Sequence, residues 1–270
     1  MVSKSERVYR RLLSRKVLTF EEIVDEAEEI IGEKDPKYIH DKYVAKLLRE
    51  GKLQRIRRGL YAAVPPLEDM EDYRPDRFLV ASKIREDYYL GYHTALDWHG
   101  CAYSRSDEVH VAVKGEDRFD RFRHQGTVFR PVFVQDTDLG VEENDYSGNT
   151  VRVSCKERTF IDCIDRPKYA GGWEEILKSL QRLGGVDFDR LLDILERYEK
   201  DLLRRKTGLV LSLLRDSSAF YEHLDDDTLN GLRGKIGGKP MYLTDDGPYD
   251  YIEGWHLYVP RDFEENLRGV

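Results

Sequence analysis

The chain contains 270 residues, of which 40% are hydrophobic and 36% are charged, and its formal net charge at pH 7 is −8. This length allows about two domains with a sizeable core, and the composition is that of a charge-rich globular protein. No apolar run approaches the roughly 18 residues of a membrane-spanning helix, which excludes an integral α-helical membrane protein. The N-terminus has no apolar signal core, so we expect a cytoplasmic protein.

The charge is unevenly distributed along the chain. Residues 1–64 contain 15 lysines and arginines against 11 aspartates and glutamates, whereas the remaining residues contain 29 against 41. A basic N-terminal segment on an acidic body fits a DNA-binding domain whose other surface avoids DNA. It also leaves an acidic face for a basic protein partner.

Two amphipathic helices are predicted at the start of the chain. The first covers Ser3 to Ser14, with apolar residues on one side and arginines on the other. The second begins after Thr19, which forms a capping-box pattern with Glu22. Its outer face is acidic and therefore unfavourable for contact with phosphates, so we expect this second helix to be scaffold.

A third helix and a basic hairpin follow. Asp35 is a good N-cap, Pro36 fits the first helical position, and Gly51 is a typical helix end. Residues 53–56 and 60–63 read as two short strands around a basic turn. Three helices followed by a basic hairpin predict a winged helix-turn-helix, in which the third helix reads DNA and the hairpin is the wing.

The DNA-contacting residues are predicted from their positions in this motif. The first turns of the third helix meet base edges in the major groove. Its later residues and the hairpin contact phosphates, and Arg57 and Arg58 at the wing tip lie along the backbone or in the adjacent minor groove. The predicted base-contacting residues are Lys37, Tyr38, His40, Asp41 and Lys42, and the phosphate-contacting residues are Lys46, Arg49, Lys52, Arg55, Arg57 and Arg58.

An alternative is an amphipathic helix and an ordinary hairpin in another small α+β domain, with the charges merely solvated. The order of the three helices and the cationic turn favour DNA binding. If the wing contacts DNA, replacing Arg57 and Arg58 with alanine should weaken DNA binding similarly across sequences and lower the salt dependence of the affinity.

Two adjacent prolines and a polar run predict a linker at residues 66–74, between a domain at 1–65 and a larger one at 75–270. The larger domain is predicted to hold a small mixed sheet with flanking helices, so the fold class is α+β. Pro131 suggests a sheet edge or a bulge, and Ser154 is expected to cap a helix. The predicted strands are 107–114, about 119–123, 127–134, 150–153, 241–243 and 255–259, and the helices are 76–85, 93–100, 155–165, 173–183, 187–198, 201–214 and 225–235.

Several phrases of the sequence resemble those of the AbiEi family, antitoxins of type IV toxin–antitoxin and phage-defence systems. The first is REGKL at 49–53 with RGLY at 58–61, and the second is the segment 93–100, which begins with HTAL and ends at Gly100. The third is RTFIDCIDRP at 158–167 with YAGG at 169–172. The resemblance covers nearly the whole chain, and the last phrase is the most specific. It implies a winged-helix domain that binds an inverted repeat in its own promoter, and a larger α/β domain that opposes a nucleotidyltransferase toxin.

The residues themselves predict no catalytic site. Asp162 and Asp165 are three apart on a predicted helix, as paired metal-binding carboxylates can be, but Asp165 also fits an ordinary helix end. We therefore expect the segment 158–172 to be a helix that packs the core of the second domain, with Arg158 and Arg166 in structural ion pairs. His93 and His99 are six residues apart and share no helix face, so neither a metal site nor a cofactor is expected.

The three cysteines form neither a disulfide framework nor a CxxC metal site. Cys155 and Cys163 are instead expected to be small buried apolar residues.

Three functions remain open at this stage. The first is a DNA-binding autorepressor that also serves as an antitoxin, with double-stranded DNA and a nucleotidyltransferase toxin as partners. The second is a stand-alone transcription factor whose C-terminal domain binds another protein or a ligand. The third and least favoured is a DNA-targeted nuclease. A homodimer on palindromic DNA is compatible with the first two, although no heptad pattern predicts it.

Overall fold

The computed structural model describes residues 2–245, 247–261 and 263, and its fold is α+β, as predicted. The chain forms two compact units. The first comprises Met1–Leu90, Asp107–Thr137 and Glu143–Arg152, and the second comprises Gly91–Ser106, Asp138–Glu142 and Val153–Val270. The first unit therefore continues past the boundary expected at 66–74. No helix of the described residues is long and apolar enough to cross a membrane.

The first unit begins with a winged helix-turn-helix arrangement. Its elements are α1 (Lys4–Arg15), β1 (Val17–Thr19), α2 (Phe20–Ile31), α3 (Pro36–Ile39), a π-helical turn (His40–Val44), α4 (Ala45–Arg49), β2 (Leu53–Arg57) and β3 (Leu60–Ala63). The strands form a sheet of order β1-β3-β2. Thr19 accepts from the Glu22 amide while the Glu22 carboxylate accepts from the Thr19 amide, so the predicted capping box is confirmed.

The rest of the first unit is built on α5 (Arg77–Ser82) and most of a six-stranded sheet. The strands are β4 (Tyr89–Leu90), β5 (Glu108–Val113), β6 (Phe122–His124), β7 (Thr127–Phe133), β8 (Val141–Tyr146) and β9 (Asn149–Ser154). Their order is β6-β7-β5-β4-β9-β8, and the parallel pairing of β5 with β7 makes the sheet mixed, as predicted. β7 is an interior strand in this order, but Pro131, which pairs with Val111 of β5, lies beyond the three residues of β7 that pair with β6. β7 is therefore an edge only locally, at Pro131.

The second unit is mainly helical. Its helices are α6 (Tyr92–Trp98), α7 (Lys156–Asp165), α8 (Trp173–Leu180), α9 (Phe188–Glu196), α10 (Asp201–Ser217) and α11 (Asp226–Arg233), and its small sheet consists of β10 (Met241–Tyr242), β11 (Tyr249–Ile252) and β12 (Leu257–Pro260). Cys155, rather than Ser154, caps α7, because its sulfur accepts from the Arg158 amide. Cys155 and Cys163 are buried, as expected.

Within the first unit, Gln54 links the wing to the larger sheet. The side chain of Gln54 is buried on β2, and its amide nitrogen donates to the carbonyl oxygens of Met70 at 2.6 Å and Tyr73 at 3.1 Å. Its oxygen lies 2.9 Å from Nε2 of His124, at the end of β6. The winged helix and the β6–β7 hairpin are therefore joined by a partly buried polar contact between Gln54 and His124.

The acid stability of the first unit should depend on Asp87. Its carboxylate accepts from Lys114 Nζ at 2.7 Å and also from the Thr137 hydroxyl. The ammonium of Lys114 and the Thr137 hydroxyl lower the pKa of Asp87, against a smaller opposing effect of burial. A carboxylate whose folded pKa is lowered stabilises the fold above its unfolded pKa, near 3.9, and loses that contribution as the pH falls through the folded pKa.

We therefore expect Asp87→Asn to flatten the decline in stability of the first unit below about pH 5. Hydrogen exchange of residues 107–137, measured between neutral pH and the onset of acid unfolding, checks this. The exposed Asp145 on β8 offers a matched control, because Asp145→Asn removes the same charge. Equal pH profiles for the wild type and Asp87→Asn would contradict the assignment.

Candidate nucleic-acid interface

The predicted third helix is present, and local sequence signals define both of its ends. Asp35 accepts from the Lys37 amide at 3.0 Å, and Pro36 occupies the first turn. The helix continues through the π turn to Arg49, and the Lys52 amide then bonds to the Leu47 carbonyl. Gly51 has a φ of +68°, a backbone conformation that favours glycine.

The third helix has one buried and one exposed side. Its apolar stripe packs in the core of the winged helix and includes Ile39, Tyr43, Val44 and Leu47. The predicted base-contacting residues Lys37, Tyr38, His40, Asp41 and Lys42 are all exposed, and so is Arg49. The helix thus presents a mainly cationic surface opposite its core contacts, which is the arrangement a helix needs to enter the major groove.

Two short-range pairs organise the exposed side. Nζ of Lys42 donates to the Tyr38 hydroxyl at 2.5 Å and lies 4.8 Å from the Tyr38 ring centroid. This hydrogen bond lowers the pKa of Tyr38. One residue away from Lys42, Oδ1 of Asp41 lies 3.0 Å from Nδ1 of His40, whose ring makes an edge contact with Phe20. Cationic, aromatic and carboxylate groups therefore stand side by side on the surface that would face bases.

The predicted phosphate-contacting residues differ in their environments. Arg49 is exposed, and its Nε donates to the Ala45 carbonyl at 3.3 Å, within its own helix. Lys46 lies 3.6 Å from Glu50. Lys52 is held by Glu6 at 3.0 Å and Glu50 at 3.2 Å, so two carboxylates compete with phosphate for its charge. Of the three cations Lys46, Arg49 and Lys52, Arg49 is the one with no carboxylate pair among the described residues.

The wing is a short hairpin with Arg58 and Gly59 at its turn. Arg55 and Arg58, two of the predicted phosphate-contacting residues, are exposed there. Arg57 is half-buried, and its guanidinium carbon lies 4.8 Å from the ring centroid of Phe122 on β6. Burial lowers the pKa of Arg57, and the nearby charge of Arg85 lowers it further. The structure therefore places Arg57 against the sheet of the first unit rather than at an exposed wing tip.

The buried Nη1 atom of Arg57 has no hydrogen-bond partner among the described residues. Sequence reasoning could not find this contact, because Phe122 is 65 positions away along the chain and carries no local signal. Of the three wing arginines predicted to contact phosphates, Arg55 and Arg58 are exposed.

The arginines of α1 have a structural use that the sequence did not indicate. The carboxylate of Glu26, on the scaffold helix α2, is buried and bonds to both Arg11 and Arg15. Burial raises the pKa of Glu26, but the hydrogen bonds from Arg11 and Arg15 outweigh this and lower it overall. Part of the positive charge of residues 1–64 is thus neutralised within the winged helix. Exposed positive charge remains on the third helix and the wing, and also on α1 at Lys4, Arg7 and Arg10.

In the second unit, α7 packs the core as expected. Arg158 Nε donates to Asp162 at 3.0 Å, and its Nη1 donates to the Leu139 carbonyl at 2.5 Å. Arg166 lies 3.7 Å from Asp165, so both predicted structural ion pairs are confirmed. The side chains of Arg158 and Asp162 are only 4% and 3% exposed.

Asp162, Asp165 and His99, which were considered for chemistry, contact structural partners. Asp162 also accepts from the Tyr198 hydroxyl, and Asp165 accepts from Lys200 at 2.8 Å. His99 Nε2 lies 2.9 Å from the Ser154 carbonyl oxygen, and burial lowers the pKa of this histidine. The buried Nε2 of His93 makes no hydrogen bond with the described residues and lies 3.3 Å from Oε1 of Glu175. Across the residues that the structure describes, no three His, Cys, Asp or Glu side chains are grouped as metal ligands would be.

The fold is similar to that of a solved protein. The RV2827C protein from Mycobacterium tuberculosis matches with a TM-score of 0.65 at 16% sequence identity, and the match covers 100% of this chain and 96% of that chain. The chain matches no protein-family model, and it matches no curated protein. At this identity the likeness concerns the fold, which is shared over all of this chain and 96% of that chain.

Proposed function

We propose that this protein is a sequence-specific regulator of transcription that binds double-stranded DNA through its winged helix. The observation that carries the proposal is the exposed side of the third helix, where Lys37, Lys42 and Arg49 project away from the buried stripe. In winged helix-turn-helix proteins this helix enters the major groove, which is wide enough for an α-helix.

The wing and the remaining charges support the same assignment. Arg55 and Arg58 lie on the hairpin that follows the helix, where they can pair with the DNA backbone. The outer face of α2 carries acidic residues, so DNA contact is directed to the third helix rather than spread over the domain. Phosphate contacts from the wing position the protein, whereas contacts of the third helix with base edges supply sequence preference.

A footprint on the DNA upstream of the protein's own gene, taken over a series of salt concentrations, tests the proposal. We expect protection of an inverted repeat, with an affinity that falls steeply as salt rises. Reversing the charge of Lys37 and Lys42 to glutamate should abolish protection. The same change at Lys168 and Lys239, exposed lysines of the second unit, should leave it intact. No protection by the wild type at low salt would overturn the proposal.

The resemblance of residues 158–172 to the AbiEi family supports a finer proposal. In it, the protein represses its own operon, as a homodimer on the inverted repeat, and opposes a nucleotidyltransferase toxin through its C-terminal part. A stand-alone transcription factor is the alternative. Co-expression with a nucleotidyltransferase encoded beside the gene separates the two, because only the antitoxin restores growth. A metal-dependent cleavage of DNA that Asp162→Ala abolishes would instead favour the nuclease.

A further inference from the structure

The third helix carries one acidic side chain on the side that would face DNA. Asp41 is two residues from Ile39 and two from Tyr43, which are both buried. Residues two positions apart do not share a helix face, so Asp41 lies roughly opposite these core contacts. Its side chain is 65% exposed, and the neighbouring exposed side chains of Lys37 and Lys42 are cationic.

A carboxylate at this position is unfavourable near phosphates and near most base edges. In the major groove, guanine offers the acceptors O6 and N7, and thymine offers the acceptor O4 and a methyl group. An ionised carboxylate only accepts hydrogen bonds, so it repels the acceptors and gains nothing from the methyl group. Only the exocyclic amino groups, N4 of cytosine and N6 of adenine, can donate to it.

The surroundings of Asp41 hold its carboxylate in place. Because the carboxylate accepts, Nδ1 of His40 must carry the proton in the 3.0 Å contact with Oδ1. The His40 ring is itself in edge contact with Phe20, with ring centroids 5.9 Å apart. His40 therefore donates a hydrogen bond to Oδ1 of Asp41 and acts as a positioning residue for this carboxylate. Oδ2 is left to accept a hydrogen bond from a base.

We infer that Asp41 selects a base that presents an exocyclic amino group in the major groove, at one position of the recognised site. This inference rests on the proposed function, since it requires the third helix to lie in that groove. Cytosine and adenine share the amino group, and the identity of the enriched base distinguishes them. Asp41 therefore discriminates by repelling guanine and thymine as well as by attracting its partner.

Selection from a pool of duplexes with randomised sequence, followed by sequencing, tests the inference on the full chain. For the wild type we expect one position with about a tenfold preference for cytosine or adenine over guanine and thymine, the scale of a good base contact. Asp41→Ala should lose the preference at that position only and should bind random DNA more tightly, because a negative charge is gone. Asp41→Asn should shift the position to adenine, whose N6 and N7 an amide pairs with.

Two further variants separate a specific from a general effect. Glu28→Ala removes the same charge from α2 and should leave every base preference unchanged. His40→Ala should weaken the preference at the Asp41 position without altering the salt dependence. If Asp41→Ala keeps the wild-type base preferences, the inference is wrong while DNA binding stands. If the wild type enriches no sequence and binds no duplex, the proposed function fails as well.

Discussion

Asp162→Ala is expected to destabilise the second unit by about 3–5 kcal/mol, because it removes the carboxylate from a buried ion pair with Arg158. Arg158 and Asp162 lie one turn apart on α7, and their ion pair is almost completely excluded from solvent. The Tyr198 hydroxyl also donates to Asp162 and would lose its acceptor. The Leu139 carbonyl satisfies one nitrogen of Arg158 but cannot neutralise the cation.

Urea unfolding followed by tryptophan fluorescence measures this loss. The three tryptophans, Trp98, Trp173 and Trp255, all belong to the second unit, so the signal reports that unit. Glu174→Ala is the control, since it breaks an ion pair at the same spacing whose carboxylate is 73% exposed. A surface pair of this kind contributes little to stability, so Glu174→Ala should leave the urea midpoint almost unchanged. A loss below about 1 kcal/mol for Asp162→Ala would show that Arg158 is not dependent on this carboxylate.

The two arginines at the end of the wing are expected to give opposite results when each is changed to methionine. Arg58 is exposed, so Arg58→Met should remove a phosphate contact and lower the slope of log affinity against log salt by about 0.9. Arg57→Met should leave that slope unchanged. Its guanidinium is already engaged with Phe122, and a methionine of similar length can keep an apolar contact with the ring.

The stability of the Arg57→Met and Arg58→Met variants provides a second measurement. Arg57→Met also removes the buried Nη1 atom that has no hydrogen-bond partner among the described residues. Replacing an unsatisfied buried polar group with an apolar one is neutral or stabilising, so the first unit should unfold at an equal or higher urea concentration. A salt slope lowered as much by Arg57→Met as by Arg58→Met would show that Arg57 leaves Phe122 when DNA binds.

The amino-acid sequence by itself determined the elements whose signals are local. The Asp35 cap, the Thr19–Glu22 capping box and the alternation of valines along β5 each depend on residues within one helical turn or one strand. The third helix and the hairpin were therefore predicted within a few residues. The same holds for α7, except that its cap moved by one residue, from Ser154 to Cys155.

Tertiary structure decided what depends on partners distant in sequence. β1 has only three residues and is a strand because it pairs with β3, and the acidic β8 gives no apolar alternation to predict it. From the sequence, Arg57 was predicted to be a cation at the wing tip. In the structure its guanidinium lies against the ring of Phe122. The first unit likewise extends through residues 107–137, past the expected linker. The residues next to a charged side chain in the sequence are the same whether that side chain faces water or packs against an aromatic ring. Its role therefore depends on the tertiary structure.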